Sequence, residues 1–328
     1  MTVLVTGGAG YIGSHMVHEL LDRGETVLVI DDLSTGLRRA VAPAAELVVA
    51  NAGDEDRIAA LMAGHGVEAV IHFAGSVVVP ESVRDPLAYY LNNTVNSRAL
   101  IQAAVLSGVK HFIFSSTAAV YGIPVASPVY EDAPLAPISP YGSSKMMTET
   151  MLRDVAAAHQ LRFAALRYFN VAGADPQGRA GQSTPQATHL IKVAAQAALG
   201  ERSHLEIFGT DFVTPDGTGV RDYIHVTDLT RAHSAALAHL RGGGESLTLN
   251  CGYGRGYSVR EVVASVKRMS GVDFPVREVG RREGDPPELV AATRRILEAL
   301  DWRPELDDLD TIVAHALAWE RKLKTRAA

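Results

Sequence analysis

One short stretch near the start of the chain limits its fold more than any other. An uninterrupted apolar run at positions 3–5 has the composition of a buried parallel strand, and it breaks at once into the glycine-rich segment 6–13. Apolar residues at helical spacing follow, and a second apolar run at 26–30 ends in Asp31. The order strand, glycine turn, helix, strand indicates the first unit of a parallel α/β sheet.

The three glycines of the turn, Gly7, Gly10 and Gly13, have the spacing of a dinucleotide-binding motif. Glycine lets the backbone turn sharply, approach a pyrophosphate and pack the helix closely on the strand. The helix N-terminus adds free N–H groups and a partial positive charge, which suit the same anionic group. Glycine motifs alone are common, but the flanking strands and the acid that follows make a nucleotide site the better interpretation.

Asp31, at the end of the second strand, favours NAD over NADP. Its carboxylate can accept hydrogen bonds from both hydroxyls of the adenosine ribose, and its charge repels a 2′-phosphate. Arg38 and Arg39 are the opposing observation, because arginines can bind such a phosphate, although solvated helix charges explain them more simply. NAD is therefore the expected cofactor.

Composition sets broad limits on the class of protein. With 328 residues, 47% hydrophobic and 21% charged, the chain is ordinary for a globular protein and long enough for two lobes. The net charge of −6 gives no reason to expect a nucleic acid or a membrane as a partner. We expect neither a signal peptide nor a transmembrane segment. The single cysteine, Cys251, suits a cytoplasmic protein, and without a cysteine–histidine cluster we expect no metal.

Beyond Asp31 the chain keeps alternating strand and helix. A long helix is expected from about 87 to 106, a strand at 47–50, and further buried strands at 69–73, 111–115 and 163–166. This alternation predicts an α/β fold with a doubly wound parallel Rossmann sheet, in which ligands bind at the carboxyl ends of the strands. We therefore expect the residues that follow each strand to line one crevice.

The sequence changes in character after Gly173. Residues 173–187 are rich in Gly, Ser, Pro and Gln and are expected to form a loop, and irregular short elements follow it. We expect residues 1–174 to form the NAD-binding domain, joined again by segments near 222–251. Residues 175–328 are expected to form a smaller α+β lobe that binds the substrate.

Tyr141, followed four residues later by Lys145, is the most informative pattern for chemistry, because this spacing places both side chains on one face of a helix. Lowering a tyrosine pKa from about 10 toward 7 requires roughly 4 kcal/mol of preference for the phenolate. A nearby ammonium and the positive nicotinamide ring of NAD together can supply it. A packed tyrosine beside a solvated lysine is the simpler alternative, but the NAD motif and Thr117 weigh against it.

Eight motifs carry a resemblance over nearly the whole length of the chain. They are, in order, TGGAGYIGSH, DDLSTG, VIHFAG, SSTAAVYG, SPYGSSK, LRYFNVAGA, DGTGVRDYIHV and RREGD. With them the chain resembles the extended short-chain dehydrogenase/reductase superfamily, and specifically the UDP-glucose 4-epimerases. The last three motifs are much more specific than the glycine motif, since short-chain reductases at large lack them.

The resemblance implies an isomerase that inverts C4 of a UDP-hexose. Tyr141 would take the proton of the sugar 4-hydroxyl while hydride passes to the nicotinamide, and Thr117 would hydrogen-bond the same oxygen. Lys145 would hold the nicotinamide ribose and depress the pKa of Tyr141. The 4-ketose would turn about its diphosphate link and take hydride back on its other face, so a tightly held NAD is expected.

The resemblance also implies the residues that contact NAD. They are Gly7, Gly10, Tyr11, Ile12, Gly13, Asp31, Asp32, Ser34, Thr35, Gly36, Asp54, Glu55, Phe73, Ala74, Gly75, Asn92, Ser115, Tyr141, Lys145 and Tyr168. Among these, Asp54 matches the contact to the adenine, and Asn92 and Tyr168 match positions that line the NAD cleft.

A second set is implied to contact the UDP-sugar. Its members are Thr117, Tyr141, Phe169, Asn170, His189, Leu190, Phe208, Arg221, Arg282, Asp285 and Leu289. Asn170, Arg221 and Arg282 match contacts to the diphosphate, where a planar guanidinium can bind two oxygens. Asp285 matches the acid on the uridine ribose, and Phe208 lies in the segment that packs by the uracil.

Three positions depart from the commonest family pattern. Val77 stands where many epimerases have a lysine, which removes one positive contact to the cofactor. His189 replaces the usual asparagine, and it either donates to a diphosphate oxygen or is only a helix residue. Leu289 is intermediate between the tyrosine of relatives that refuse N-acetylated sugars and the small residue of those that admit them. We therefore expect UDP-glucose and UDP-galactose to be preferred over UDP-N-acetylhexosamines.

Other functions are weighed on specific residues. Sugar-nucleotide dehydratases carry an acid pair after the threonine, whereas Thr117 is followed here by Ala118 and Ala119, so dehydration is rejected. Epimerases of UDP-pentoses and UDP-uronates stay open, because the sequence does not reveal the contacts to the sugar C6. A non-catalytic NAD-binding regulator is the alternative from another class, although Tyr141 and Lys145 are both present.

The resemblance finally implies a homodimer. In relatives, two helices from each subunit form the dimer bundle, and the matching segments here are roughly 90–106 and 145–159. Burial within a single core is an equal alternative for the apolar side chains of this face, which are Met146, Met147, Met151 and Leu152.

Overall fold

The computed structural model describes residues 1–184, 187–282 and 284–327 of the chain. The strands are β1 (Thr2–Thr6), β2 (Thr26–Asp31), β3 (Glu46–Val49), β4 (Val67–His72), β5 (His111–Thr117), β6 (Arg162–Tyr168), β7 (Asn170–Ala172), β8 (Leu205–Phe208), β9 (Val220–His225), β10 (Leu247–Cys251), β11 (Gly256–Ser258), β12 (Val276–Val279) and β13 (Glu288–Leu289). The α-helices are α1 (Tyr11–Asp22), α2 (Glu55–His65), α3 (Val79–Arg84), α4 (Pro86–Tyr89), α5 (Asn96–Leu106), α6 (Pro140–Ala158), α7 (Leu190–Ala198), α8 (Val226–Arg241), α9 (Val259–Ser270), α10 (Arg294–Ala299) and α11 (Leu309–Ala327).

Seven strands form one parallel sheet in the spatial order β10-β6-β5-β4-β1-β2-β3. The strand order reverses between β1 and β4, which is the position where doubly wound sheets bind their ligands. The predicted Rossmann sheet is therefore confirmed, and each strand expected from an apolar run is present, with bounds that differ from the expected ones by one or two residues at most ends.

Alternate side chains of β1 enter two different cores, because successive residues of a strand point to opposite faces. Val3 and Val5 pack with Met16 and Leu229, from α1 and α8, on one face. Leu4 packs in the core on the other face, which α2, α5 and α6 cover. The central strands are thus buried on both sides, which explains their uninterrupted apolar runs.

In its described residues, the second lobe contains two small sheets and the helices α7, α9 and α11. β9 pairs with β7, β11 and β13, and β8 pairs in parallel with β12. The helices α7, α9 and α11 enclose a separate core that contains Ile191, Val266 and Ile312. Within the described ranges, no helix has both the length and the apolarity to cross a membrane.

Two expectations about the elements need correction. The long helix expected from 87 to 106 is α4 and α5 joined by a π-helical segment, Tyr90–Val95. The segment near 222–251 rejoins the first sheet only in part: β10 is its edge strand and α8 packs on it, whereas β9 belongs to the second lobe. The predicted loop 173–187 contains no regular helix in its described part, and its residues 185 and 186 lie outside the described residues.

Candidate active site

Residues at the carboxyl ends of the central strands line one deep cleft with a volume of about 2020 Å³. Ligand pockets ordinarily enclose roughly 300–1,000 Å³, so this cleft has room for more than one nucleotide-sized molecule. The second lobe forms the opposite wall, through the regions around His189, Phe208 and Asp285. The cleft therefore lies between the predicted cofactor side and the predicted substrate side.

The glycine turn has the geometry that a close approach of a ligand requires. Gly7 has a φ of +70°, and a Cβ at this position would lie 2.6 Å from the backbone nitrogen of Ala74. Gly10 is the N-cap of α1 and provides no side-chain hydrogen bond to the first turn, so the terminal N–H groups are open to the cleft. A pyrophosphate fits this helix end.

Asp31 lies at the floor of the same part of the cleft and is 7% exposed. Its carboxylate oxygens accept hydrogen bonds from the N–H groups of Ala9, at 2.9 Å, and Leu33, at 2.8 Å. Burial raises the pKa of this carboxyl, and the two backbone N–H groups oppose that change. Each oxygen keeps a lone pair for a ribose hydroxyl, so these residues fit NAD.

Nearly all positions expected to contact NAD line this cleft, and the exceptions are Asp54 and Glu55. Here the structure differs from the prediction: residues 50–52 form the wall, while Asp54 is the N-cap of α2. Glu55 faces away and forms an ion pair with Arg98 at 2.8 Å. Asp54 is exposed, and neither acid is among the residues that line the cleft.

Tyr141, Lys145 and Thr117 line the same cleft, and the Thr117 hydroxyl hydrogen-bonds the Tyr141 phenol. Ser139 is the N-cap of α6 and accepts a hydrogen bond from the Gly142 N–H at 3.2 Å, which fixes the turn that carries Tyr141. Burial raises the pKa of the Tyr141 phenol, and a hydrogen bond with the Thr117 hydroxyl opposes this change. The chain's own groups therefore favour the neutral phenol, so a lowered pKa requires positive charge from a bound ligand.

Lys145 is almost completely enclosed, with 3% of its surface exposed. Its ammonium donates to the carbonyl of Ser115 at 3.0 Å and lies 4.9 Å from the ring centre of Phe114. Burial lowers its pKa to about 8. The ammonium keeps two further donor positions, which suit ribose hydroxyls in the cleft.

A buried polar network behind this centre was missed by the sequence analysis. Arg167 forms two hydrogen bonds with Glu149, at 2.9 and 2.6 Å, and both side chains are less than 10% exposed. Glu149 also accepts a hydrogen bond from the hydroxyl of Ser116, the residue before Thr117. The available signals were an acid one helical turn after Lys145 and an arginine inside an apolar strand.

The π-helical segment contributes a second group that the sequence analysis missed. Asn93 accepts a hydrogen bond from the Ser76 N–H at 2.7 Å and donates to the hydroxyl of Ser144 at 3.1 Å. It thereby links the loop after β4 to α6. Asn92, which was expected in the cleft wall, lines the cleft and donates to the Ser76 hydroxyl at 2.9 Å.

Every position expected to contact the UDP-sugar lines the cleft. Two pairs of them also contact each other. Arg221 forms an ion pair with Asp285 at 3.4 Å, and the guanidinium of Arg282 lies 3.7 Å from the ring centre of Phe208. Leu289 pairs with Arg221 in the register of β13 and β9. The two arginines thus lie in the cleft with their planes supported by neighbouring side chains.

Val77 and His189, two of the three departures from the family pattern, also line the cleft. Val77 is 55% exposed and lines the cleft, so an apolar side chain replaces the family lysine at an open position. His189 is the N-cap of α7 and keeps an exposed surface toward the cleft, where desolvation by the surrounding wall, together with the charge of Lys192, lowers its pKa. A neutral imidazole at this position can donate a hydrogen bond to an anion without carrying charge.

Comparison with known proteins agrees with this site. The model of the family described as "NAD dependent epimerase/dehydratase family" matches residues 3–252. The chain is 60% identical to a UDP-glucose 4-epimerase of Azospirillum brasilense, with 98% of this chain and 92% of the relative covered. A crystal structure of UDP-glucose 4-epimerase from Brucella ovis in complex with NAD superposes with a TM-score of 0.94 at 45% identity, covering 97% of each chain.

A third similar protein is named for two sugars. It is the UDP-Glc/GlcNAc 4-epimerase from Campylobacter jejuni, with a TM-score of 0.86, 46% identity and coverage of 98% of this chain and 99% of that one. The family match and the identities, taken with the glycine turn and the Tyr141–Lys145 pair, show that this chain belongs to the NAD dependent epimerase/dehydratase family.

Proposed function

We propose that this protein is an NAD-dependent isomerase that interconverts UDP-galactose and UDP-glucose by inverting C4 of the hexose. The observation that carries the proposal is the meeting of Tyr141, Lys145 and Thr117 in one cleft, between the glycine turn and a wall that holds two arginines. When bound, NAD supplies the oxidising and reducing equivalents at C4 and ends each cycle unchanged. Gly7, Asp31 and Lys145 are the groups that hold it.

Tyr141 acts on the proton of the sugar 4-hydroxyl. Its phenolate is the base, and the phenol returns the proton to the same oxygen at the end of the cycle. The Thr117 hydroxyl, which hydrogen-bonds Tyr141, orients that oxygen and passes the proton. Lys145 contributes positive charge in a region of low dielectric, where a charge has a large effect on its neighbours.

We further propose that the second lobe holds uridine diphosphate firmly and leaves the hexose free to turn. Arg221, Arg282 and Asn170 bind the diphosphate, and Asp285 binds the uridine ribose. Phe208 supports the Arg282 guanidinium and faces the uracil. Inversion needs both faces of C4 presented in turn, so strong contacts belong on the diphosphate rather than on the sugar. In this division residues 1–174 bind the cofactor and also carry Thr117, Tyr141 and Asn170 on the substrate side, and residues 175–328 supply most of the remaining contacts to the UDP-sugar.

The test is turnover of UDP-galactose by the purified protein, with UDP-glucose detected through UDP-glucose dehydrogenase. We expect conversion in both directions without net consumption of added NAD. A protein that binds NAD and UDP but converts neither sugar would be a non-catalytic regulator, and the proposal would be rejected.

The sugar range depends on Leu289. This half-buried side chain lies beside Arg221 and packs against the cluster that contains Ala118 and Tyr121, so it leaves limited space near the sugar. We propose that UDP-glucose and UDP-galactose are preferred and that UDP-N-acetylhexosamines are poor substrates. Comparing kcat/KM for UDP-galactose and UDP-N-acetylgalactosamine tests this. Equal values would contradict it and favour the wider range described for the Campylobacter jejuni relative.

We also propose a homodimer and a cytoplasmic location. The π-helical segment and its flanks expose an apolar ridge at helical spacing, Leu87, Leu91 and Val95, which are 78%, 58% and 52% exposed. Met147 of the neighbouring α6 is 41% exposed and extends this surface. A contiguous apolar surface of this kind is typical of an interface. The buried free thiol of Cys251 suits a reducing compartment.

The apolar side chains expected at this interface do not all reach it. Met147 is exposed, whereas Leu152 is completely buried in the core between the sheet and its helices. Met151 packs against the same core, and Met146 packs against the cluster around Tyr121. The face therefore consists of the ridge on residues 87–95 together with Met147.

A further inference from the structure

One wall of the cleft packs against α11, a helix that lies far along the chain from the residues of that wall. We call this wall the substrate wall. It comprises residues 182–184 and 187–193, and most of its residues line the cleft, among them Gln182, His189 and Leu190. Its contacts on the opposite side are made to α11, which has no residue in the cleft among those the structure describes.

The strongest of these contacts is a buried ion pair. The Lys192 ammonium lies 2.5 Å from a carboxylate oxygen of Glu320, and the two side chains are 7% and 4% exposed. The same ammonium donates to the carbonyl of Gln182 at 2.8 Å. Lys192 thus ties both ends of the substrate wall to one carboxylate on α11.

The preceding residue of α11 makes a second attachment. The Trp319 indole N–H donates to the hydroxyl of Ser183 at 3.1 Å. A Cβ at position 181 would lie 2.3 Å from the Trp319 ring, so only glycine allows the chain to pass this close to the indole. The wall is therefore fixed by a charge pair, by a hydrogen bond and by close packing on one helix turn.

Stability alone does not account for a lysine at this position. Lys192 lies in the first turn of α7, where the helix dipole disfavours a cation, and burial adds a further cost. An apolar pair of similar volume would often be as stable. The ammonium has one property that an apolar side chain lacks, because it donates to the Gln182 carbonyl and to Glu320 at once.

A small cavity lies beside this ion pair and is also lined by residues of the cleft. It has a volume of about 20 Å³, enough for one water molecule. Lys192 and Glu320 line it together with His189 from the substrate wall and Tyr11 from the first turn of α1. A shift of the ion pair would therefore change the packing around His189.

We propose that Lys192 and Glu320 are positioning residues, which hold His189 and Leu190 in the place where they meet the UDP-sugar. Neither residue touches the reacting atoms. The identity of the ligand rests on the proposed function, whereas the attachment of the wall to α11 does not.

The test compares Glu320→Gln, Lys192→Met and the double variant Lys192→Met/Glu320→Met. Each single variant should raise KM for UDP-galactose about tenfold or more and weaken the binding of UDP, while kcat changes less than about threefold. In the double variant, resistance to urea should return toward that of the unchanged protein, because no charge is left unpaired. Its KM should stay high, because the Gln182 carbonyl still lacks its donor.

Ile312→Ala is the matched control. Ile312 is completely buried in the same helix, about two turns before Glu320, so its truncation lowers stability through the shared core while the ion pair and the hydrogen bonds of the wall keep all their groups. We expect an unchanged KM. If KM rises in proportion to lost stability in all four variants, or stays constant in the three charge variants, the positioning role is wrong.

Amide hydrogen exchange separates this inference from the proposed function. Residues 187–190 should exchange at least about tenfold faster in Glu320→Gln than in Ile312→Ala, whether or not the protein turns over a sugar. Equal exchange would overturn the positioning role. A protein without epimerase activity but with this exchange pattern would reject the proposed function and keep the positioning role.

Discussion

At the scale of single residues, burial shifts the two central side chains toward their neutral forms. It raises the pKa of Tyr141 and lowers that of Lys145 to about 8. That Tyr141 and Lys145 share one helix face could be predicted from the sequence, because residues four positions apart in a helix lie on the same face. The direction of the tyrosine shift could not, because desolvation depends on everything that packs around the phenol, including α6, β5 and the loop after β4.

The phenolic oxygen of Tyr141 is the atom on which the proposed chemistry depends. Tyr141→Phe keeps the ring and removes only the base, so kcat should fall about 10²- to 10⁴-fold. UDP should bind with unchanged affinity, since its contacts lie in the second lobe. Steady-state kinetics and calorimetric titration with UDP provide the two measurements. An unchanged kcat would show that another group removes the proton.

At the scale of elements, the apolar strands and the glycine turn were predictable and the polar connections were not. Five buried strands follow directly from apolar runs, because a strand covered on both faces needs no polar alternation. The π-helical segment Tyr90–Val95 has no comparable signal, since its wider turn places Asn93 between Ser76 and Ser144 without changing the apolar pattern. Such segments are frequent at functional sites.

The buried pair between α6 and β6 gives a prediction about stability. Arg167→Met leaves the Glu149 carboxylate buried without its partner and should lower the free energy of unfolding by about 3–5 kcal/mol. The control is Arg260→Met. Arg260 forms an ion pair with Glu278 at the surface, where the two side chains are 43% and 52% exposed. That change should cost less than about 1 kcal/mol in the same urea titration. Equal losses would mean that burial of the pair does not matter.

The apolar ridge on residues 87–95 gives a prediction about assembly. Leu91→Glu places a charge at its centre, and we expect a dimer to become a monomer because an unpaired charge is costly in an apolar interface. Light scattering after size-exclusion chromatography measures the mass. Val213→Glu is the control, since Val213 is 96% exposed in the other lobe and should leave the mass unchanged. A Leu91→Glu protein with unaltered mass would contradict the proposed interface.

At the scale of the whole molecule, the alternation of strand and helix was sufficient for the first sheet but not for the second lobe. In that lobe β9 pairs with strands from 170–172, 256–258 and 288–289, so its neighbours come from distant parts of the chain. The local pattern of apolar residues cannot predict such pairings, because it reports only on neighbours along the chain. The residues expected to bind the UDP-sugar were therefore predicted only from the family motifs. The glycine turn and Asp31 were predicted from the chemistry of the residues themselves.

Buried histidines make the stability of the whole molecule depend on pH. Burial lowers the pKa of His15 and His233 to about 4 and that of His72 and His225 to about 3. Above pH 6.5 these histidines are neutral in both states. Below it, the unfolded chain binds protons that the folded chain does not, so stability is lost as the pH falls. Asp222 has the opposite effect on stability. Burial raises its pKa to about 6, so as the pH falls the folded chain binds a proton there before the unfolded chain does.

With four histidines against this aspartate, the free energy of unfolding should fall by roughly 3–5 kcal/mol between pH 6.5 and 5. Urea titrations at several pH values measure this change. A constant or rising free energy over the same interval would show that the histidines are not neutral in the folded protein.

Inversion at C4 with retention of the carbon-bound hydrogen is the central claim, and proton NMR tests it most directly. UDP-galactose is incubated in D₂O with the purified protein and NAD, and the product is analysed at C4. We predict UDP-glucose that still carries protium at C4, because Tyr141 exchanges only the hydroxyl proton with solvent. Deuterium at C4, or the absence of any UDP-glucose, would contradict the account.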